Sequence, residues 1–148
     1  MSIIRPLAAV AALTLVACSR SLAPYDVIEL RTEVAPAAFA VGDTVMIRAI
    51  MRNPTSTVIE PGRACGPPVL FEFRNGSGAV VHPIALDGIF TCPGLDYHVL
   101  EPFETDTVVV RWRVELTPGP WSVRSGFRAG SKLDRLSPPV GVVVGTSE

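Results

Sequence analysis

Apolar and polar residues alternate through most of the stretch 104–130. A period of two over this length is typical of β-strands with one buried and one solvated face. Pro118 and Gly119 divide the stretch and suit the two central positions of a type II turn. The pattern predicts two antiparallel strands joined by a tight turn, whose inward residues are Val108, Val110, Trp112, Val114, Trp121, Val123, Ser125 and Phe127.

Shorter segments with strand character recur along the rest of the chain, between turns rich in glycine and proline. Residues 35–38 are expected to break the first of them, and the apolar run 140–144 is expected to be buried on both sides. The spacing predicts an all-β, immunoglobulin-like antiparallel β-sandwich of about seven or eight strands. The remaining predicted strands are 25–34, 44–53, 57–60, 69–74, 79–83 and 98–100, with Val45, Ile47, Ala49, Met51, Val69, Phe71 and Phe73 inward.

The composition supports this fold class. The chain has 148 residues, including 14 prolines and 12 glycines, which is too many for a helical protein of this size. Helical periodicity is absent from the sequence after the N-terminal segment. One domain is expected.

The N-terminal segment resembles a targeting sequence. Arg5 provides a positive charge, and residues 7–17 form an apolar stretch too short for a stable membrane anchor. This stretch leads into Leu15-Val16-Ala17-Cys18, which resembles the bacterial lipobox. The resemblance implies cleavage before Cys18 and acylation of its thiol and new amino group. The alternative is an ordinary signal peptide that happens to contain a cysteine.

The predicted organisation is therefore a lipoprotein signal peptide at 1–17, a lipidated tether at 18–24 and the β-sandwich domain at 25–148. The expected location is the bacterial cell envelope, with the domain in the periplasm or at the cell surface. Ser19 follows the cysteine, and an aspartate there would have favoured inner-membrane retention, so the outer membrane is expected in a Gram-negative cell. Multiple acyl chains give stable anchoring where one alone would be marginal.

Charge narrows the range of partners. Cleavage after residue 17 removes Arg5 and leaves 12 basic and 14 acidic side chains, a net charge of −2. This balance argues against a nucleic-acid partner and against electrostatic adhesion to anionic lipid. The membrane contact is expected to come from the N-terminal lipid.

Two cysteines remain once Cys18 is assigned to lipid. Cys65 and Cys92 form an even pair in an exported protein, which predicts a disulfide worth roughly 3–4 kcal/mol. The alternative is a metal site that joins both thiols to His82 and His98. The four residues lie on separate segments without compact ligand spacing, so no metal or other cofactor is predicted.

Catalytic residues are not predicted either. No Gly-x-Ser-x-Gly motif stands between a strand and a helix, and the scattered carboxylates form no recognisable pair. A non-enzyme without a small-molecule substrate is expected. The carboxylates considered are Glu72, Asp87, Asp96 and Glu104.

Arginines recur at outward strand positions and allow two hypotheses. They form a guanidinium face for an acidic partner, or they are solvated side chains whose stems cover apolar surface. These residues are Arg48, Arg52, Arg111, Arg113, Arg124 and Arg128.

Several motifs occur in an order that is similar to the Bacillus intracellular proteinase inhibitor (BsuPI) family, an immunoglobulin-like domain. They are an aromatic hairpin at 71–78, the segment Leu100-Glu101-Pro102-Phe103-Glu104, a tryptophan strand around Trp112, and Thr117-Pro118-Gly119-Pro120-Trp121. The segments Gly42-Asp43-Thr44-Val45 and Asn53-Pro54-Thr55 match more loosely, and the resemblance covers residues 41–127. Phe103 stands where the family pattern has glycine, and Pro120-Trp121 replaces the residue-tyrosine pair.

The resemblance implies the fold and, less directly, protease inhibition, but no inhibitory loop can be carried over to these residues. The leading functional hypothesis is an anchored envelope lipoprotein whose β-sandwich binds another macromolecule, with a protein as the expected partner. The alternatives are a protease inhibitor of the BsuPI type and a passive structural or assembly subunit of the envelope.

Overall fold

The computed structural model describes residues 24–60, 68–83, 99–129 and 132–146. These residues contain nine β-strands and no α-helix. A turn of 3-10 helix, Pro24–Val27, precedes the first strand. The strands are β1 (Glu29–Ala35), β2 (Ala38–Ala40), β3 (Thr44–Arg52), β4 (Val69–Asn75), β5 (Val80–Val81), β6 (Thr105–Arg113), β7 (Gly119–Ala129), β8 (Lys132–Asp134) and β9 (Val140–Gly145).

The smaller sheet, sheet A, is antiparallel and has the order β1-β3-β6. Glu29, Arg52 and Thr105 form one row across its three strands. The 3-10 helix joins the sheet at this row, so we call this end of the sandwich the entry end. Ala35, Met46 and Arg111 form a row towards the opposite end.

The larger sheet, sheet B, has the order β2-β9-β7-β4-β5, with β8 paired to β7. All of its described pairs are antiparallel except β2 with β9, which is parallel. Residues of both sheets form one buried apolar cluster between them. The predicted immunoglobulin-like β-sandwich is confirmed. The described residues contain nine strands rather than seven or eight, because the three-residue strands β2 and β8 are too short to show a period.

The inner faces of β3 and β4 agree with the sequence pattern. Every predicted inward residue of these two strands is at most 1% exposed. Burial of large aliphatic and aromatic side chains is the main favourable term in folding, so these faces are the ones that alternation defines best. The residues are Val45, Ile47, Ala49, Met51, Val69, Phe71 and Phe73.

The predicted hairpin within 104–130 is wrong. Its two halves are the strands β6 and β7, but β6 pairs with β3 in sheet A, whereas β7 pairs with β4, β8 and β9 in sheet B. The link between them crosses from one sheet to the other and buries Val114 and Leu116. Gly119 does have a positive φ of 135°. Strands that face one core from opposite sheets alternate in the same way as strands that pair, so alternation alone cannot distinguish the two arrangements.

The last strand also differs from its prediction. In β9 the side chains alternate between buried and exposed, with Val142 and Val144 in the core and Val143 57% exposed. The run of valines therefore reflects the preference of β-branched residues for strands rather than burial on both sides. Of the predicted strands at 57–60 and 98–100, the described residues show a single bridge between Ile59 and Leu100.

A buried cluster of hydroxyl groups links the two sheets. Thr32 Oγ1 in β1 lies 2.6 Å from Ser125 Oγ in β7 and 2.7 Å from Ser137 Oγ. The backbone N–H of Ser125 donates to Thr32 Oγ1 at 2.8 Å. All three residues are at most 6% exposed. The cluster explains how a serine can occupy an inward position of β7, because its polar atoms have partners inside the core.

Replacing Thr32 by valine should lower the free energy of unfolding by about 1–3 kcal/mol, because shape is retained while buried partners lose a hydrogen bond. Chemical denaturation of the wild type and the variant would measure the difference. Thr44→Val, at an exposed outward position of β3, is the matched control and should be nearly neutral. Equal stability of wild type and Thr32→Val would contradict a stabilising role for the cluster.

Candidate interaction surface

The outer face of sheet A is an open surface that combines five arginines with two glutamates, threonines and apolar side chains. The strand register and the burial pattern place every second residue of β1, β3 and β6 on this face. Val109, near its centre, is 50% exposed. Besides Val109, the face comprises Glu29, Arg31, Glu33, Ala35, Thr44, Met46, Arg48, Ile50, Arg52, Thr105, Thr107, Arg111 and Arg113.

Charge is segregated between this face and the remainder of the described chain. The face carries five arginines and two glutamates, a net charge of +3. The other described residues carry five basic and nine acidic side chains, a net charge of −4. A near-neutral total therefore conceals a one-sided positive field, which attracts acidic groups to this face.

Two of the arginines on the face are held by carboxylates of β1. Arg52 Nη1 lies 3.0 Å from Glu29 Oε2, and Arg31 Nη2 lies 3.3 Å from Glu33 Oε1. All four side chains are substantially exposed. Exposed pairs of this kind contribute little to stability, with a median of about 0–1 kcal/mol. Their main effect is to orient the guanidinium groups.

The other three arginines of the face, Arg48, Arg111 and Arg113, form what we call the arginine triad. Arg48 Nη2 lies 3.3 Å from Met46 Sδ, and Arg113 Nε donates to Gly42 O at 3.3 Å. Within the described chain, no carboxylate lies at ion-pair distance from any member of the triad. The triad therefore presents guanidinium donors that an external carboxylate could accept.

Two depressions in the face have arginines at their borders. One, of about 340 Å³ at the entry end, is lined by Glu29, Leu30, Arg31, Ile50, Arg52 and Thr105. The other, of about 260 Å³ near the opposite end, is lined by Ala35, Thr44, Val45, Met46 and Arg111. The second depression combines apolar lining with the guanidinium group of Arg111, which suits a protruding side chain that ends in an acid. In the first depression both arginines are already paired with glutamates.

The single face of six arginines is only partly confirmed. Arg48, Arg52, Arg111 and Arg113 share the outer face of sheet A, but Arg124 and Arg128 lie on the outer face of sheet B. The error has the same origin as the predicted hairpin, since β6 and β7 belong to different sheets. Arg31 also belongs to the face, because Glu29, Arg31 and Glu33 lie on one side of β1 and Leu30, Thr32 and Val34 on the other.

The predicted lipid and disulfide residues, Cys18, Cys65 and Cys92, lie outside the described residues, as does His98. His82 is described, and its Nδ1 atom lies 3.1 Å from the carbonyl oxygen of Phe71. Across the described ranges, no group of three or more histidine, cysteine, aspartate or glutamate side chains could hold a metal ion. The lipid attachment and the disulfide stay predictions.

The carboxylates considered for catalysis have separate surroundings where they are described. Glu72 is buried in β4 and lies 3.4 Å from Arg74. Glu104 Oε2 accepts a hydrogen bond of 2.7 Å from the backbone N–H of Glu101. Asp87 and Asp96 lie outside the described residues. The described pair is therefore occupied by structural contacts. No helix in the same ranges is long and apolar enough to cross a membrane.

A strained turn stands at the entry end. Glu104 N donates to Glu101 O at 3.1 Å and closes a turn whose third residue is Phe103, at φ 62°. A non-glycine residue in this left-handed region costs roughly 1–2 kcal/mol. Phe103 is 61% exposed, so burial offsets little of that cost. Phe103 is also the position where the BsuPI pattern has glycine.

Replacing Phe103 by glycine should raise the free energy of unfolding by about 0.5–1 kcal/mol, because relief of strain exceeds the extra entropy of the unfolded chain. The midpoint of thermal unfolding should rise by about 3 °C. Phe103→Ala is the control, since it removes the ring but retains the unfavourable φ, and it should bring no gain. A lower midpoint for the glycine variant would contradict the strain.

Comparisons with known proteins support the fold and give no information on function. No model of a known protein family matches the sequence, and no curated protein matches it. Among solved structures, a β-glucosidase, EmGH1 from Erythrobacter marinus, is similar at 13% identity and a TM-score of 0.53, over 80% of this chain and 15% of that chain. A β-glucosidase from Listeria innocua in complex with isofagomine is 13% identical with a TM-score of 0.47, over 81% of this chain and 16% of that chain.

The chain thus spans only about a sixth of the length of these enzymes. At this identity the likeness to EmGH1 supports the β-sandwich and carries no statement about catalysis.

Proposed function

We propose that this chain is a lipid-anchored lipoprotein of the bacterial envelope whose β-sandwich binds an acidic macromolecule and catalyses no reaction. The lipobox-like segment before Cys18 supports the anchoring, and no nucleic acid or small-molecule substrate is part of the proposal. The observation that carries the binding function is the outer face of sheet A. Arginine and methionine are enriched in protein interfaces, and arginine, methionine and branched apolar residues together make up much of this face.

An acidic protein fits the face best. Three guanidinium groups that have no carboxylate partner among the described residues offer planar, two-pronged donors that match carboxylates. The intervening Met46, Ile50 and Val109 offer apolar contact. A partner that combined carboxylates with apolar side chains would satisfy both. Its affinity should fall as salt concentration rises, because exposed charges are screened.

The test is photo-crosslinking in intact cells from one position on each sheet. A photoreactive amino acid in place of Val109 should give a discrete protein adduct, and the same group in place of Val143 should not give it. The two valines are comparably exposed, at 50% and 57%, and lie on the outer faces of different sheets. An adduct from position 109 that is missing from position 143 therefore reports specific binding rather than random crosslinking of an exposed residue.

Neutralising two members of the arginine triad supplies the second arm of the test. Arg111→Gln combined with Arg113→Gln should abolish the adduct from position 109, whereas Arg74→Gln, on the outer face of sheet B, should leave it unchanged. A discrete adduct that survives loss of both arginines would contradict recognition by charge. The same set of adducts from positions 109 and 143 would contradict recognition by this face.

Anchoring and protease inhibition are tested separately. Mass spectrometry of the membrane fraction should find an acylated N-terminal Cys18, and Cys18→Ala should block both processing and acylation. The chain should also be assayed against a panel of serine proteases with any Cys65–Cys92 bond intact and then reduced. Stoichiometric inhibition that is lost on reduction would favour the inhibitor hypothesis over the acidic partner, whereas the proposed function predicts no inhibition.

A further inference from the structure

The entry end of the sandwich gathers two connecting segments around the start of sheet A. Beyond the row formed by Glu29, Arg52 and Thr105 lie the 3-10 helix, the segment 53–58 and the turn 101–104. Hydrogen bonds join the two segments, from Asn53 N to Glu104 O at 2.9 Å and from Phe103 N to Thr55 O at 3.3 Å. The two segments therefore form one tip.

This tip carries two large apolar side chains in solvent. Phe103 is 61% exposed and Val58 is 53% exposed, and Phe103 is the most exposed of the large hydrophobic residues in the described ranges. Packing does not explain the phenylalanine, because its ring is mostly uncovered and its backbone is strained. A strained outlier that the surrounding contacts do not require points to a function.

The chain upstream of the tip limits what can lie next to it. Cys18 precedes Pro24 by six residues, which span at most about 20 Å even when fully extended. If the acyl chains are attached there, the membrane lies within that distance of the point where the chain enters the entry end. A bilayer surface is therefore the partner that the anchor brings closest to Phe103.

We propose that the entry end docks on the surface of the anchoring bilayer, with Phe103 and Val58 inserted among the lipid headgroups. This inference rests on the proposed lipid anchoring at Cys18. Aromatic side chains are favoured at the boundary between headgroups and acyl chains, and burial of the ring there gains apolar area that the folded domain leaves in water. Docking also leaves the outer face of sheet A to project sideways, open to a partner.

Charge at the tip selects the kind of lipid. Exposed carboxylates of Glu60, Glu101 and Glu104 flank the two apolar residues. They would be repelled by anionic headgroups, so the tip fits a zwitterionic surface such as phosphatidylethanolamine. Phosphatidylglycerol in the same bilayer should weaken the contact, and salt should restore part of it.

The experiment uses the full lipidated chain in vesicles of phosphatidylethanolamine and phosphatidylcholine with brominated acyl chains, which quench tryptophan fluorescence on contact. Phe103→Trp adds an emitter at the tip. Val143→Trp is the matched control, because Val143 is 57% exposed and aligns with Pro120 and Ala38, at the opposite end of the sandwich. The wild type supplies the background emission of Trp112 and Trp121.

Emission added by Phe103→Trp should fall at least about two-fold in brominated vesicles, and emission added by Val143→Trp should not change. Flotation with the vesicles shows that the chain is anchored. If the chain floats but the two added tryptophans are quenched equally, or neither is quenched, the docking proposal is overturned and the anchoring stands. A chain without acyl groups that does not float would contradict both.

Phe103→Gly provides a second readout that does not depend on an added tryptophan. This variant is expected to fold and to be more stable, so a loss of membrane contact could not be attributed to unfolding. Vesicles should slow amide hydrogen exchange in residues 55–58 of the wild type and should have no effect there in Phe103→Gly. If vesicles slowed exchange in Phe103→Gly as much as in the wild type, the role of the phenylalanine would be overturned.

Discussion

Replacing Phe73 by alanine should lower the free energy of unfolding by about 3–5 kcal/mol, which is close to the whole stability of many domains. Phe73 is fully buried in β4. Its ring centroid lies 5.1 Å from that of Trp112 in β6, with an angle of 34° between the planes. The ring therefore joins the two sheets through a direct aromatic contact, and alanine would leave a cavity at that junction.

Urea denaturation of the wild type and the variant would give this difference. Val143→Ala removes apolar atoms from the same sheet at an exposed position and should change stability by no more than about 0.5 kcal/mol. Phe73→Leu should fall between the two, because it retains much of the volume but loses the contact with Trp112. If Phe73→Ala lowered the free energy of unfolding as little as Val143→Ala does, the proposed contribution of this ring to the core would be contradicted.

Burial of the core strands could be predicted because it is a local property. In β3 each inward residue is followed by an outward one that is more exposed. In β4 Phe71 and Phe73 lie on the inner face, but Leu70 and Glu72 on the other face are buried as well. Hydrophobic burial depends on the side chain itself, so a period of two defines which face is buried without knowledge of the neighbouring strand.

Strand partners could not be predicted because they depend on residues far away in sequence. The tight turn at Pro118 and Gly119 is compatible both with a hairpin and with a crossover between sheets. The choice depends on whether Val114 and Leu116 are buried in the link, and they are. The same error placed Arg124 and Arg128 on the face of Arg111, although these arginines lie on the outer face of the other sheet.

The strained turn could be located from the sequence but not interpreted. Phe103 departs from a pattern that has glycine, and the structure gives the departure a physical meaning, a positive φ beneath an exposed ring. Asn53 is the opposite case. Asn-Pro-Thr predicts a local turn, and the structure shows contacts with residues almost fifty positions away, of which the sequence carries no sign.

Replacing Asn53 by alanine should lower the free energy of unfolding by about 3 kcal/mol or more, because a fully buried amide would be lost with several partners. Asn53 Nδ2 donates to the carbonyl oxygens of Thr57, Leu100 and Glu101 at 2.8, 3.1 and 3.0 Å. Its Oδ1 accepts from the backbone N–H of Thr55 at 2.9 Å and from the Thr55 hydroxyl at 2.7 Å. One side chain thus joins the two segments of the entry end.

Two variants separate this role from an ordinary turn. Asn75 also accepts from neighbouring residues, at Ser77 N and Ala79 N, but in a solvated hairpin, so Asn75→Ala should cost only about 1 kcal/mol. Asn53→Asp keeps the size and the acceptor but places a second oxygen against three carbonyl oxygens, so it should destabilise the domain at least as much as alanine. If Asn53→Asp were as stable as the wild type, the assignment of Asn53 Nδ2 as a donor to three carbonyl oxygens would be contradicted. If the amide does organise the tip, Asn53→Ala should also speed hydrogen exchange in residues 55–59 and 100–104 while exchange in β4 and β7 changes less.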